Sequence, residues 1–482
     1  MPDLRPILYV IGILLSILAA GMTVPMMVSF YYGGEDWKIF FICILITAFF
    51  GGSLVLGNYN SKGFSLTIKQ AFLLTTTSWI ALAAFASLPF WLSSMHMTYT
   101  DAFFEAMSGI TTTGSTVMTG LDHTPRGILI WRALLQWLGG IGIIVMALSV
   151  LPFLKVGGMQ LFRTESTENE KALPRATKMA SAIAYIYLSF TFICAMCYHA
   201  AGLELFDAVA HAMTTVATGG FSTFDSSFAA MENAGIELTA ILFMILGGMP
   251  FLLYLKTVRG DLGVIFRDPQ VRWFLSIIAA AIILMTLHLA WHIDMPAIES
   301  LRRAAFNVVS LITGTGYASA DYMQWGGFAV SLLFFLMVVG GCAGSTSCGI
   351  KIFRFQVLYA VTHTQIKKLL YPHGVFMPYY GKTPLPDDVP PSVMGFFFLY
   401  ALCFAVLAMA LSFVGLDYMT AMSGAATAIS NVGPAMGDII GPAGTFTSLP
   451  DSAKWMLSFG MLLGRLELFT VLVLLSPHFW RR

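Results

Sequence analysis

Charge is what this chain has least of. Asp, Glu, Lys and Arg make up 11% of its 482 residues, against about 25% in an ordinary soluble domain. The formal net charge is only +1, which excludes a partner held by bulk charge, such as nucleic acid. Cysteine is also scarce: Cys43, Cys194, Cys197, Cys342, Cys348 and Cys403. Cys194 and Cys197 form a CxxC inside an apolar run with no second pair beside it, so they read as small core residues. The nine histidines show no HExxH spacing, and no GxSxG elbow or Walker A string occurs, so no enzyme motif is left to follow. No small-residue cleavage site follows the first apolar run, which is expected to stay as a span.

Apolar length is abundant instead. Aliphatic and aromatic residues fill 57% of the chain and mean hydropathy is +0.78, as in a polytopic membrane protein. Runs at 7–30 and 39–56 form a hairpin joined by GGEDWK. A unit then recurs four times: a span, a short half-helix ending in a polar strand, and a second span. The spans fall at 71–91 and 128–154, 180–201 and 238–255, 274–291 and from about 328, and 393–414 and 455–475. The expected fold is therefore all-α, with ten spans and four half-helices in a pseudo-fourfold arrangement around one pore. Its parts are an N-terminal hairpin (1–60) and repeats at 61–156, 157–260, 261–370 and 371–482. The third repeat has a broken second span, and the fourth opens on a proline-rich linker.

The first half-helix sets the pattern. DAFFEAMSGITTTGST at 101–116 starts with Asp101, placed to cap a helix, and ends in hydroxyl residues and Gly114. At 16 residues it is too short to cross a bilayer, which takes about 20. Lipid tolerates such a re-entrant piece only where it lines water. Counterparts run to Gly220, Gly316 and Gly433, and twelve residues before each glycine stands Ala102, Ala208, Ala304 or Ala421. Successive glycines are 106, 96 and 117 residues apart, so one unit of about a hundred residues is used four times. Strands of Thr, Ser, Gly and Asn present carbonyl and hydroxyl oxygens that can replace the water shell of a monovalent cation. The half-helix C-termini add partial negative charge on the axis, and each glycine is expected at φ > 0 to turn a carbonyl inward.

Basic residues give an orientation. With the N-terminus cytoplasmic, nineteen of the 26 Lys and Arg fall inside. Both termini are then cytoplasmic, and the half-helices enter from outside. Acids gather on the outer face, among them Asp101, Glu105, Asp122, Glu204, Asp207, Asp225, Glu232, Glu299, Asp321, Asp417 and Asp438. A carboxylate-rich mouth concentrates cations.

The four units, the hairpin before them, WRALLQWLGGIGIIVM at 131–146, GGMQLFR at 157–163 and GGCAGSTSCGIK at 340–351 resemble the TrkH/TrkG branch of the Trk/Ktr/HKT superfamily. The resemblance implies potassium uptake in a bacterial inner membrane, by a homodimer regulated by a cytosolic nucleotide-binding ring of the TrkA type. Potassium is the transported ion, and no organic cofactor is implied. The filter positions it implies are Thr112, Thr113 and Gly114; Thr218, Gly219 and Gly220; Gly314, Thr315 and Gly316; and Asn431, Val432 and Gly433. The fourth strand departs most, with Pro434 after its glycine. No strand has the TVGYG string of potassium channels, so selectivity over sodium is expected to be looser.

Two further elements point to control of the pore. Gly340, Gly341, Ala343, Gly344, Ser345, Thr346, Ser347 and Gly349 interrupt the second span of unit three. They read as a non-helical gate crossing the pore below the filter, or as a helix break that lets neighbours pack. Arg465 lies deep in LSFGMLLGRLELFTVLVLL, an expensive place for charge. The resemblance puts it at the pore wall, where it is an electrostatic barrier or pairs with carboxylates; otherwise it snorkels or packs between helices. Glu467 faces another way and is no obvious partner. Arg132 is expected to bond carbonyls or the half-helix, and His211 to be structural. The linker at 371–391 offers a docking surface. The alternative to a pore is a secondary symporter moving potassium with protons or sodium, which needs a carboxylate or a broken helix at mid-membrane.

Overall fold

The computed structural model describes residues 3–60, 67–149, 158, 161 and 172–481. Lys62, Lys155, Arg163, Lys171, Arg482, most of GGMQLFR and the first two repeat boundaries lie outside the described residues. Among the described residues, seven helices are long and apolar enough to cross a membrane, and two bent pairs make nine. The tenth expected span is the interrupted one in unit three. The predicted all-α architecture is the one observed.

Helices α1 (Arg5–Gly21) and α2 (Thr23–Tyr31) run on as one span, and α3 (Trp37–Gly57) returns beside them. Glycines allow that approach: a Cβ on Gly12 would lie 2.8 Å from Gly51 O. Unit one has α4 (Ile68–Ala86) with α5 (Leu88–Leu92), half-helix α6 (Tyr99–Ile110) and span α7 (Arg126–Ser149). Unit two has α8 (Ala172–Ala200), half-helix α9 (Leu205–Val216), and α10 (Ala234–Gly248) followed by α11 (Phe251–Val258). In unit three, α12 (Pro269–His292) leads to half-helix α13 (Ala297–Ile312), then α14 (Gly327–Val338) and α15 (Ile352–Leu370). Strands β1 (Tyr379–Tyr380) and β2 (Thr383–Pro384) form a small hairpin in the linker. Unit four has α16 (Val389–Phe413), half-helix α17 (Tyr418–Ser430), α18 (Asp451–Arg465) and α19 (Phe469–Leu475).

Asp101 is not the cap of α6. That helix begins two residues earlier, and Thr98 caps it, accepting from Asp101 N at 3.2 Å. Asp417 does cap α17, accepting from Thr420 N at 3.1 Å.

Two spans expected to be continuous are sharply bent. The 238–255 span turns by 94° between α10 and α11, where Pro250 has no N–H to continue the ladder. The 455–475 span turns by 117° between α18 and α19, with Glu467 and Leu468 in the left-handed region at φ 60 and 51. Such breaks free backbone groups that lipid cannot satisfy. At the first break the loop of unit three satisfies them. Cys342 N donates to Gly248 O at 2.9 Å, Thr346 N to Gly247 O at 3.2 Å, and Phe251 N to Gly344 O at 3.0 Å. Two broken helices from different units thus complete each other.

Candidate functional site: four strands closed into a ring

The half-helices end where four short strands meet. The first residue of each expected filter triplet is left-handed: Thr112 (φ 53), Thr218 (φ 49), Gly314 (φ 76) and Asn431 (φ 52). For a β-branched threonine that conformation is an outlier, so the surroundings impose it. Gly114, Gly220 and Gly316 follow at φ 88, 83 and 81. Gly433 has no positive φ, contrary to the expectation for all four glycines. Pro434 is the reason, because a residue before proline is pushed into extended conformations.

Contacts between strands run in chain order and close. A Cβ on Gly114 would lie 2.3 Å from Gly219 O, and one on Gly220 1.8 Å from Thr315 O. On Gly316 it would lie 2.7 Å from Gly433 N, and on Gly433 3.1 Å from Gly114 O. Backbone therefore packs on backbone all the way round, with no room for a side chain at Gly114, Gly220 or Gly316 and little at Gly433. All four glycines line one cavity of about 70 Å³ at the mouth.

Side chains brace this ring from outside. Thr112, Thr113, Thr218, Thr315, Asn431 and Val432 are buried. The Thr111 and Thr113 hydroxyls are 2.8 Å apart, as are those of Thr313 and Thr315, so units one and three share a brace. Asn431 Nδ2 donates to Thr113 Oγ1 at 3.0 Å and to Met461 O at 2.8 Å. Gln136 Nε2 donates to Gly219 O at 2.6 Å while its Oε1 accepts from Phe221 N at 3.0 Å. Ser115 Oγ donates to Gly433 O at 2.9 Å. The carbonyls of Gly219 and Gly433 are thus held by the frame.

Glu105 is not a mouth carboxylate. It is fully buried and accepts from Arg132 Nε at 2.8 Å and Val117 N at 2.9 Å. Arg132 also donates to Ser222 O at 2.9 Å and lies 4.1 Å from the Phe221 ring centre. One ion pair therefore ties α6, α7 and the first two strands together, as expected of Arg132 in part. Other acids of the expected mouth are paired too: Asp101 with Lys454 at 2.5 Å, Glu204 with Arg126 at 3.0 Å and Glu299 with Arg303 at 2.7 Å. Of the acids expected there, Asp225 lines the mouth cavity. Both ring nitrogens of His211 have partners, Asp207 O at 2.8 Å and Ser222 Oγ at 3.0 Å.

On the other side of the ring lies the glycine-rich loop, non-helical and buried. Gly344 (φ 76) and Gly349 (φ 71) turn it, and Gly340 packs so closely that a Cβ would meet Cys348 O at 1.8 Å. Thr346 Oγ1 lies 3.1 Å from the Thr218 hydroxyl and 3.0 Å from Gly247 O. Ser345 Oγ donates to Cys342 O at 2.6 Å, Gly341 N to Ser347 Oγ at 2.8 Å, and Ala343 N to Gln270 Oε1 at 2.9 Å. Cys348 Sγ is 3.6 Å from Thr112 Oγ1 and 2.6 Å from Arg465 Nη1. Arg465 Nη2 donates to Gly139 O at 2.9 Å, and Nη1 reaches Thr346 O at 3.4 Å. Arg465 therefore sits directly under the strands, joining the loop to α7 through two backbone carbonyls and the Cys348 sulfur. Glu467 belongs to Arg354, with which it forms a buried ion pair.

Sequence reasoning missed Gln136 and the Glu105–Arg132 and Arg354–Glu467 pairs. A polar residue amid the apolar WRALLQWLGG run is itself a signal; the pairings are not, since their members are 27 and 113 residues apart.

Comparisons with known proteins agree over nearly the whole chain. Residues 36–482 match the family model described as TrkH, cation transport protein. The Trk system potassium uptake protein TrkI of Halomonas elongata is 46% identical, covering 99% of this chain and 97% of its own. The Trk system potassium uptake protein TrkH of Escherichia coli is 36% identical, covering 99% of each. The crystal structure of the potassium transporter TrkH from Vibrio parahaemolyticus superposes with a TM-score of 0.92 at 35% identity, covering 100% of both chains. The chain is a member of the TrkH family of cation transport proteins, a family of transporters rather than enzymes.

Proposed function

We propose that this protein takes up potassium through a gated pore whose filter is the ring of four strands. The observation that carries the proposal is the cyclic closure of the strands by backbone contact at Gly114, Gly220, Gly316 and Gly433. Packing of that kind fixes a narrow path lined by peptide dipoles, which favours a cation shedding its water. Potassium is the ion because the named relatives are potassium uptake proteins. In this reading the filter residues are Thr112 to Gly114, Thr218 to Gly220, Gly314 to Gly316 and Asn431 to Gly433. The loop from Gly340 to Gly349 is the gate, and Arg465 below the ring is an electrostatic barrier that also holds the loop. The protein works as a homodimer in a bacterial inner membrane, with both termini cytoplasmic and a TrkA-type ring docked on that face.

A coupled carrier would use an unpaired carboxylate deep in the protein. The buried glutamates Glu105, Glu237 and Glu467 each face an arginine: Arg132 at 2.8 Å, Arg302 at 3.6 Å, and Arg354. On the carboxylate criterion that favours the pore, while the broken helices at Pro250 and Glu467 meet the other condition of a carrier. Currents from purified protein in planar bilayers test the choice. Unitary potassium currents of channel size are expected. Flux locked to a fixed proton or sodium stoichiometry, with no unitary events, would replace the pore with a symporter.

A further inference from the structure

Away from the ring, a cavity of about 780 Å³ lies between the start of α12, the middle of α15 and the β1–β2 hairpin. None of the contacts that brace the ring or the loop involves its basic or aromatic lining. Arg272, His363 and Lys367 line it, and among the described residues no Asp or Glu does. The neighbouring carboxylate, Asp268, is occupied as the cap of α12, accepting from Gln270 N at 2.9 Å and Val271 N at 3.2 Å. Aromatic rings make one wall. Trp273 and Tyr359 have centroids 5.6 Å apart, and Tyr359 stacks on His363 at 6.0 Å with planes 2° apart. Gln356, only 7% exposed, also lines the cavity. Its Nε2 donates to Pro269 O at 2.9 Å, while its Oε1 has no hydrogen-bond partner among the described residues. A buried acceptor left unpaired is costly. The cavity therefore offers cationic donors for an anion and one acceptor for a hydroxyl or amine.

The surroundings indicate where such a ligand comes from. Beyond the cavity α12 exposes Ile283, Leu284 and Leu287, an apolar face that the described residues of the chain leave uncovered. Tryptophan and tyrosine at the end of an apolar span mark the level of lipid headgroups, and basic pockets between spans suit anionic heads. We propose that this cavity holds the headgroup of a phosphatidylglycerol-type phospholipid. Its phosphodiester oxygens meet Arg272 and Lys367, its glycerol hydroxyl donates to Gln356 Oε1, and its acyl chains follow the exposed face of α12. A soluble phosphate shares the charge but has no tails.

Native mass spectrometry of the purified full-length protein, titrated with defined lipids, tests this. Phosphatidylglycerol is expected to bind more tightly than phosphatidylmethanol, which has the same charge but no headgroup hydroxyl. Arg272→Gln with Lys367→Gln should weaken phosphatidylglycerol by roughly tenfold or more. Gln356→Leu should remove the preference for the hydroxyl-bearing lipid while keeping the charge dependence. Lys367 is exposed, so Lys367→Gln alone carries the test if the double variant fails to fold. Unchanged phosphatidylglycerol binding in the charge variants overturns the site. Displacement of bound lipid by equimolar glycerol phosphate overturns the lipid source and assigns the cavity to a soluble phosphate.

Discussion

Single residues in this structure are constrained by what a methyl group would meet. Gly139 shows it most sharply: a Cβ there would lie 1.9 Å from Ile110 O, the end of α6, and its own carbonyl accepts from Arg465. Gly142, one turn on, has nothing within 4 Å among the described residues. Gly139→Ala is therefore expected to lower thermal stability by about 3 kcal/mol, the upper range for overpacking, while Gly142→Ala is neutral or better. Melting followed by size exclusion compares the two, and equal behaviour would refute the account. Arg465 carries two effects that substitution can separate. At about 10 Å, with an effective dielectric near 20, a unit charge disfavours a cation by about 1.7 kcal/mol, somewhat over tenfold in occupancy. Arg465→Gln should raise potassium flux by about that factor. Arg465→Lys keeps the charge but cannot span Gly139 O, Thr346 O and Cys348 together. It should leave unitary conductance unchanged and raise the open fraction in single-channel records. Flux no higher in Gln than in the parent would remove the barrier and leave Arg465 as scaffold.

At the scale of elements, the loop between α14 and α15 is the part with a definite alternative. Its backbone is bonded at both ends, Gly340 N to Ile350 O at 3.0 Å and Ile350 N to Val338 O at 3.0 Å, and its centre lies against the strands through Thr346 and Cys348. Deleting Ala343 to Ser347 is expected to raise potassium uptake several-fold in cells lacking other uptake routes, with the helices retained. Uptake unchanged or lower in a folded deletion would make the loop a packing device. The loop, the hairpin and the four half-helices were all readable in the sequence, because apolar length and a glycine every hundred residues are local signals. The bends were less so. Pro250 announces the first, but nothing near Glu467 announces the second, where two non-glycine residues take φ > 0. The capping of α6 by Thr98 was hidden by an equally good candidate three residues on. In the strands the glycines stood out, yet the conformation common to all four copies belongs to Thr112, Thr218, Gly314 and Asn431, where residue type varies. Glu105 read as a mouth carboxylate and Arg132 as a partner of carbonyls or the half-helix; that the two pair with each other at 2.8 Å was not legible.

For the molecule as a whole, the ring is built by four units but not equally. Gly220 combines φ 83 with a Cβ site 1.8 Å from Thr315 O, and Gly316 combines φ 81 with 2.6 Å to Pro434. Gly433 has neither a positive φ nor a Cβ contact under 3.1 Å. Replacement by alanine or serine should therefore widen sodium permeability in the order Gly220 and Gly316 well before Gly433, read from reversal potentials in mixed potassium and sodium. Equal shifts at all four positions would contradict a ring with one relaxed corner. The mutual completion of the two broken helices reaches furthest. With the loop in place, Gly247 O, Gly248 O and Phe251 N are bonded to it. In the proposed opening these three groups lose their protein partners inside a membrane, where only water can replace them. Opening is then a hydration step, and the position of the gate depends on the activity of water as well as on any ligand. A protein of this design would sense drying of its own interior, so an impermeant osmolyte on the loop side should close it in proportion to osmotic pressure.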